Sequence, residues 1–428
     1  FYAPDELIAE PAVREDIELL MVDEAAHLPM PMLLNLVNRY HRLVLATTQQ
    51  GYEGSGRSFT LRFQRELDRL TPGWKAVSLR QPIRWNDGDP LERTVNHALL
   101  LDAEDDLPTP ESPVPLEKLN YRPVSIAELL QTPTLLTQIF RLLVTAHYQT
   151  SPNDLMQLLE TPNQCLWVAT ANADQVLGVL FALEEGNLMT SDTSTHRAHG
   201  HLFPQLMARQ SGENVWLKHK TCRIVRLAVL PSHQDQGIGS SLLQAFKDHI
   251  EASQAFDSLS TSFGATPRLA DFWKKNEFIP LHLGQKRDKA SGTHSLVMAK
   301  PLSSELTSLV QTQHLAFQQQ FAWLLTDSFQ DLSGDFILTM LSTEAFPKTG
   351  FPIGYLSGQP FEAVSYPLRQ WTLSNVDALK EMEAPLRDLW VKRVLQNHSW
   401  ESLVTASGMT SRKQLEQQLK QYFNRPVE

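Results

Sequence analysis

The run RIVRLAVLPSHQDQGIGSSLLQAF, Arg223 to Phe246, decides the fold. Its first half is an apolar strand pattern that stops at Pro231, and its second half spaces Ile238, Leu242, Leu243 and Phe246 as a helix does. Between the halves lies Gln234-x-x-Gly237-x-Gly239. Glycines at such a turn let the backbone fold tightly and let its N–H groups approach a ligand without obstruction. Those N–H groups, with the positive end of the helix dipole, make an anion site suited to a pyrophosphate. The spacing predicts a strand, a ligand-cradling turn and a helix in immediate succession.

The surrounding residues, 121–301, extend the pattern. A helix, TLLTQIFRLLVTAHY, and two strands, CLWVATA and VLGVLFALEEG, precede it; a strand FDSLSTSF, a helix PRLADFWKKNEF and strands IPLHLGQ and HSLVMAKP follow. An antiparallel start and one strand–turn–helix–strand unit predict a mixed α+β sheet. Trp273 and Phe272 sit at core spacing on their helix and read as packing. The stretch from Asn187 to Thr221, rich in His and Gly, interrupts the rhythm and reads as a loop-and-helix excursion. Its His196, His199 and His201 have no Cys, Asp or Glu in ligand register, so a structural or RNA-facing loop is expected rather than a metal site.

Residues 1–88 follow another plan. IELLMVDEAAHL and RLVLATTQQ read as buried parallel strands with the helix PMPMLLNLVNRYH between them, a β-α-β pattern that predicts a parallel sheet. The acidic, proline-rich DLPTPESPVP marks a linker over 89–120. From 302 to 428 the pattern is mainly helical, with FPKTGFPIGYLSGQPFEAVSYP read as a Gly/Pro/aromatic loop. The expected architecture is therefore multidomain: an α/β parallel-sheet part, an α+β domain over 121–301 and a helical domain.

Composition bounds the function. With 428 residues, 42% hydrophobic and 20% charged, the chain suits two or three globular domains. No apolar run reaches a membrane span, so a cytoplasmic protein without a membrane partner is expected. Cys165 and Cys222, the two cysteines, support neither a disulfide framework nor a zinc site and read as buried free thiols. The net charge of −10 is uneven. Residues 1–110 hold 11 Lys and Arg against 18 Asp and Glu, whereas 203–301 hold 13 against 8. A basic middle region leaves room for an RNA-binding face or for an ordinary solvated one.

The segment RIVRLAVLPSHQDQGIG resembles the acetyl-CoA-binding motif of the GNAT N-acetyltransferases, and the element order of 121–301 matches that family's fold. The resemblance implies that the backbone of Leu227, Ala228 and Val229 contacts the pantetheine arm and thioester. It also implies that Gln234, Asp235, Gln236, Gly237, Ile238, Gly239 and Ser240 wrap the pyrophosphate, with Arg268 and Lys275 reaching CoA phosphates. At Arg268 the family's relative carries an acid, and a surface charge is the alternative there.

The strand ending in Asp23-Glu24 is similar to the metal strand of a P-loop ATPase. By that likeness Asp23 would hold Mg²⁺ with its water shell and Glu24 would orient the attacking water. Gly51-x-x-x-x-Gly56-Arg57-Ser58 nearly matches a phosphate loop, but it follows the Asp-Glu strand instead of preceding it, and Arg57 replaces the lysine. It reads instead as a sensor segment with Thr47, Thr48 and Gln49; Arg84 in QPIRW fits a charge-stabilising arginine. No other phosphate-loop pattern occurs in the sequence, and the chain opens on Phe1, so a longer protein carrying that loop is expected.

Taken together, MVDEAAHLP, TTQQGYEGSGRSF, QPIRW, HYQTSPNDL, WLKHKTCRIVRLAV and STSFG resemble the bacterial tRNA(Met) cytidine acetyltransferases over essentially the whole chain. That resemblance implies acetyl transfer from acetyl-CoA to N4 of the wobble cytidine of elongator tRNA(Met), driven by ATP or GTP hydrolysis, with tRNA contacts from residue 302 onward. Candidates for the general base are His219, His233 and Glu184. Each also has a plainer reading, the two histidines as solvated loop residues and Glu184 as a strand-end charge. Two other functions share these motifs: an acetyltransferase acting on a protein or small amine, and an RNA-remodelling ATPase whose acetyltransferase fold only binds.

Overall fold

The computed structural model describes residues 2–9, 17–48, 63–64, 66–79, 81, 83, 85–86, 88–101, 114–145, 152–171, 175–188, 200–288 and 291–424. The chain divides into two compact units. The first holds residues 1–205, 215–261 and 287–293, and the second holds 206–214, 262–286 and 294–428.

At the start of the first unit, helix α1 (Pro4–Ala9) precedes strand β1 (Leu20–Val22), helix α2 (Met30–Arg39) and strand β2 (Leu43–Leu45). The two strands pair in parallel, Leu20 with Leu43 through Val22 with Leu45, as the β-α-β pattern predicts. Pro31 in the first turn of α2 fits a position whose N–H has no intrahelical acceptor. Leu33, Leu36 and Val37 on the inner face of α2 bury against Leu20, Val22, Phe63 and Leu67. Arg39 at the helix end donates to the carbonyls of Leu7 and Ile8, tying α1 to α2. Within the expected linker lies helix α3 (Pro90–Leu99), capped by Asp89, whose side chain accepts the Leu91 N–H at 2.8 Å.

Strand β3 (Asn120–Pro123) is followed by helices α4 (Ile126–Gln131), α5 (Pro133–Thr145) and α6 (Pro152–Glu160), then strands β4 (Gln164–Ala171) and β5 (Gln175–Gly186). Helices α7 (Leu202–Ser211) and α8 (Val215–Lys218) occupy the excursion before strand β6 (Lys220–Val229), helix α9 (Ile238–Ser253) and strand β7 (Ser258–Gly264). Pairing is antiparallel from β3 through β6 and parallel between β6 and β7. This is the mixed sheet that the element order predicts. Gly178 has its Cα face against Ile238 and Leu242, where an added Cβ would lie 3.4 Å from each; the missing side chain lets α9 pack close to the sheet. Trp167 on the same face meets Phe246 of α9 edge-on at 5.9 Å between ring centroids.

The second unit contains helix α10 (Pro267–Lys275), most of strand β8 (Ile279–Arg287), strand β9 (His294–Pro301) and a helical region. In the first unit the strand order is β3-β4-β5-β6-β7, and in the second β9 lies beside β8. Trp273 is buried between Phe263 and Phe278, with centroids at 6.0 and 4.7 Å, so the packing reading of this helix stands. The helical region begins with α11 (Ser304–Leu324) and α12 (Gly334–Met340) and continues through α13 (Phe361–Ser374), α14 (Val376–Lys380), α15 (Ala384–Val394), α16 (Trp400–Ser407) and α17 (Arg412–Phe423). One expectation is corrected here: FEAVSYP opens α13 instead of ending a loop, with Pro367 inside the helix. Phe361, Val364 and Leu368 fall at helical spacing and are all buried, and that packing outweighs the lost hydrogen bond.

Candidate functional site

The turn after β6 is built as the sequence suggests. Strand β6 ends at Val229, the Leu230 N–H donates to the Leu177 carbonyl at 2.9 Å, and Pro231–His233 form one 3-10 turn. The Gln234 amide reaches back to the Val229 carbonyl at 3.1 Å, closing the loop onto the strand. Asp235 and Gly237 then both take left-handed backbone angles, φ 62° and 87°. A Cβ on Gly237 would approach Leu116 Cδ1 to 3.2 Å, so glycine suits the angle and any side chain there would also make Leu116 shift.

Helix α9 follows with no side-chain cap at Gly237. Its first N–H groups have no acceptor within the helix, and the Ser241 N–H donates to the Gly237 carbonyl at 3.0 Å. Sixteen residues of helix stand behind that terminus, a positive end facing the loop. Gln234, Asp235 and Gly237 are exposed, Gln236, Gly239 and Ser240 half-buried and Ile238 buried under the turn.

Strand β6 carries an irregularity that periodicity does not reveal. Phe181 of β5 faces Arg226 and Ala182 faces Ile224, so Val225 is an extra residue, a bulge that bends the strand just ahead of Leu227–Val229. The described pairing with β7 runs from Thr221–Ser258 to Ile224–Thr261, up to the same point.

The three candidate bases are spread out. His233 is 2% exposed, its Nδ1 lies 3.0 Å from Ser232 Oγ, and its Nε2 is buried without a hydrogen-bond partner. His219 is also buried, 3.4 Å from Asp257 through Nδ1, and precedes the opposite end of β6. Neither histidine is a solvated loop residue, because both are buried. Glu184 lies opposite Cys222 and pairs with Lys220 Nζ at 2.9 Å. At ~3.3 Å per residue, Cys222 is roughly 16 Å and His219 roughly 26 Å along the strand from Leu227. Arg268 and Lys275 are exposed on α10 in the second unit.

Two buried ion pairs escaped the sequence reading. Arg226 pairs with Asp154 of α6, with side chains only 10% and 17% exposed, and burial lowers the arginine pKa while Asp154 opposes that shift. Arg223 pairs with the fully buried Glu185. The signal was the R-x-x-R spacing inside an apolar strand, because a buried arginine demands an acid. Cys222 is buried and Cys165 half-buried; a hydrogen bond between them, with burial, pushes the Cys222 thiol up, and the same bond holds Cys165 down.

In the leading part, Asp23 is exposed at the end of β1, its Oδ1 accepting the Glu24 N–H at 3.0 Å. Glu24 has φ 49°, a strained angle for a non-glycine residue. The Ala25 N–H donates to Ala46 and the Ala46 N–H to Val22, both at 2.9 Å, which sets Thr47 and Thr48 beside the Asp23 strand end. Gln49, Gly51–Ser58 and Arg84 lie outside the described residues, as do His196 and His199. His201 is described, and its Nδ1 accepts the Gly186 N–H at 3.0 Å. Among the described residues no helix is long and apolar enough to cross a membrane.

Comparison with known proteins agrees with this geometry. The model of the RNA cytidine acetyltransferase NAT10/TcmA helicase domain matches residues 1–102, and that of GNAT acetyltransferase 2 matches 138–258 and 250–303. A tRNA(Met) cytidine acetyltransferase TmcA of Vibrio cholerae is 37% identical over 431 residues, 98% of this chain and 58% of that protein. The chain is a homologue of the tRNA(Met) cytidine acetyltransferases. The TmcA of Nitrosococcus halophilus is 35% identical, covering 97% of this chain and 57% of its own length, so the chain spans under two thirds of both relatives. Among solved structures, Arabidopsis thaliana NAA60 in complex with acetyl-CoA is similar over 43% of this chain and 98% of its own, at 12% identity and a TM-score of 0.30. The region matched by the GNAT acetyltransferase 2 model contains strands β4 to β9 and the Gln234–Gly239 turn.

Proposed function

We propose that this chain transfers acetyl from acetyl-CoA to N4 of the wobble cytidine of elongator tRNA(Met), coupled to ATP or GTP hydrolysis. The observation that carries the reading is the start of α9 opened by Gly237, with Asp235 and Gly237 both left-handed, at the end of a bulged strand. That arrangement suits a pyrophosphate at Gln234–Ser240, and it suits a thioester lying along Leu227–Val229. Arg268 and Lys275 are assigned to CoA phosphates. The names of the relatives support a tRNA substrate.

In the reaction the N4 nitrogen attacks the thioester carbonyl carbon and a tetrahedral intermediate forms. The carbon–sulfur bond then breaks, the CoA thiolate leaves, and the N4 proton passes to a base. Cytosine N4 is conjugated with its ring and is a poor nucleophile, so holding it against the thioester supplies much of the rate. The Leu230 N–H is held by the Leu177 carbonyl, so the N–H of Val229 is the one that would serve the developing oxyanion. Of the three candidate bases, His233 stands nearest the loop in chain order, whereas Glu184 and His219 are held in pairs farther back along β6.

Asp23, exposed at a parallel-strand end, is a hard oxygen ligand that fits Mg²⁺ carrying its own waters, and Glu24 and Gln49 would face the nucleotide. Bound there, Mg²⁺ would neutralise phosphate charge during hydrolysis. Arg84 would add positive charge.

Labelled acetyl-CoA offered together with tRNA and a peptide library tests the reading. Label should enter tRNA; label in peptides alone would favour a protein acetyltransferase. Label in neither, with RNA-stimulated hydrolysis intact, would favour a remodelling ATPase.

A further inference from the structure

With the donor lying along Leu227–Val229 as proposed above, the geometry of β6 constrains where the acceptor enters. Helix α9 covers the face carrying Gly178, Leu180 and Leu227, with Ile238 and Leu242 at contact distance from Gly178. A nucleophile cannot reach a thioester beside Leu227 through that helix. It must come over the other face, where Arg226 lies opposite Phe181, immediately after the Val225 bulge. On this face the Arg226 side chain is nine-tenths buried and its guanidinium pairs with Asp154, in the first turn of α6. Arginine gives a planar, multiply bonded joint that a lysine point charge does not. A charge pair this deep is costly to bury and costly to break, so it fixes the start of α6 against the centre of the strand.

We propose that Arg226 is a positioning residue for the acceptor: through Asp154 it holds the start of α6 as the wall against which the cytidine is presented to the thioester. The proposal rests on the acetyl-transfer reading above. Arg226 is held by Asp154 on the face away from α9. Its loss therefore acts on the acceptor side alone.

The test compares Arg226→Ala, Asp154→Asn and the exchanged pair Arg226→Asp with Asp154→Arg against the unchanged protein. Acetyl-CoA affinity should stay within about twofold in all of them. The kcat/KM for tRNA should fall by about 30-fold or more in the single variants, mainly through kcat, and the exchanged pair should recover part of it. Equal loss of acetyl-CoA affinity and of tRNA acetylation would reduce the pair to a general strut and overturn the proposal. Hydrogen exchange over residues 152–160, with acetyl-CoA bound, gives a readout that needs no RNA. Arg226→Ala should speed it at least tenfold while α9 stays protected, and unchanged exchange overturns the proposal whichever acceptor the protein uses. Absence of tRNA acetylation by the unchanged protein, with the exchange result as expected, would instead refute the function and leave the α6 joint standing.

Discussion

Arg223 Nε donates to Glu185 Oε1 at 2.5 Å, and the second oxygen of this fully buried carboxylate accepts the Phe203 N–H at 2.8 Å. One carboxylate thus ties β6 to the start of α7. Glu185→Ala leaves Arg223 buried without its acid, and the expected loss is about 3–5 kcal/mol of stability. Glu185→Gln keeps one acceptor and should lose less. Urea unfolding checks both, and acetyl-CoA binding by folded Glu185→Gln should be unchanged because Gln234–Ser240 lie beyond the other end of β6.

Gly237→Ala probes the loop directly. A side chain at φ 87° costs ~1–2 kcal/mol, and the added Cβ must also displace Leu116. If the strain falls on the ligand-binding conformation, acetyl-CoA affinity drops about tenfold with the fold retained. Calorimetric titration of acetyl-CoA measures it; an unchanged Kd would remove the turn from the donor site.

Gly292, at the turn between β8 and β9, has φ 67° and would carry a Cβ 3.3 Å from Pro29 at the start of α2. Its turn is closed by the Gly292 N–H to the Asp288 carbonyl and the Asp288 N–H to the Thr293 carbonyl, both 2.8 Å, so it has little room to yield. Gly292→Val is expected to loosen the leading β-α-β segment. Faster hydrogen exchange over residues 20–46, with β4 and β5 unaffected, is the predicted signature.

Two histidines in the second unit set a pH dependence. Burial, with the Arg209 charge, lowers the His282 pKa; burial likewise lowers His314, with Lys274 adding to it and the Pro280 carbonyl and Glu344 opposing. His314 Nδ1 lies 2.8 Å from the Pro280 carbonyl. The unfolded chain, titrating near the ordinary ~6.5, binds these protons more readily than the folded one. Stability is therefore complete above that pH and declines as pH falls through it toward the lower folded values. Thermal melts from pH 7.5 to 5 should show the decline, and His282→Phe should flatten it.

Much of this was legible in the sequence because local chemistry and global fold agree. The strand, turn and helix of Arg223–Phe246 each announce themselves by period and by glycine, and the parallel β1–β2 pair follows from apolar runs flanking one helix. What escaped depends on partners distant in sequence. Nothing around Asp154 marks it as the acid for Arg226, 72 residues on, and the bulge at Val225 is a matter of register, not composition. Glu184 drew attention as a strand-end carboxylate, yet its neighbour Glu185, one residue on and facing the other side of β5, is the buried one. Pro367 misled because proline marks a loop unless buried neighbours hold the helix together.

Nucleoside mass spectrometry of tRNA treated with the protein, acetyl-CoA, ATP and Mg²⁺ bears most directly on the central claim. The expected product is N4-acetylcytidine, confined on fragment mapping to the wobble position of elongator tRNA(Met) and absent without acetyl-CoA. Unmodified tRNA, with the acetyl group recovered on protein or a small amine, would contradict it.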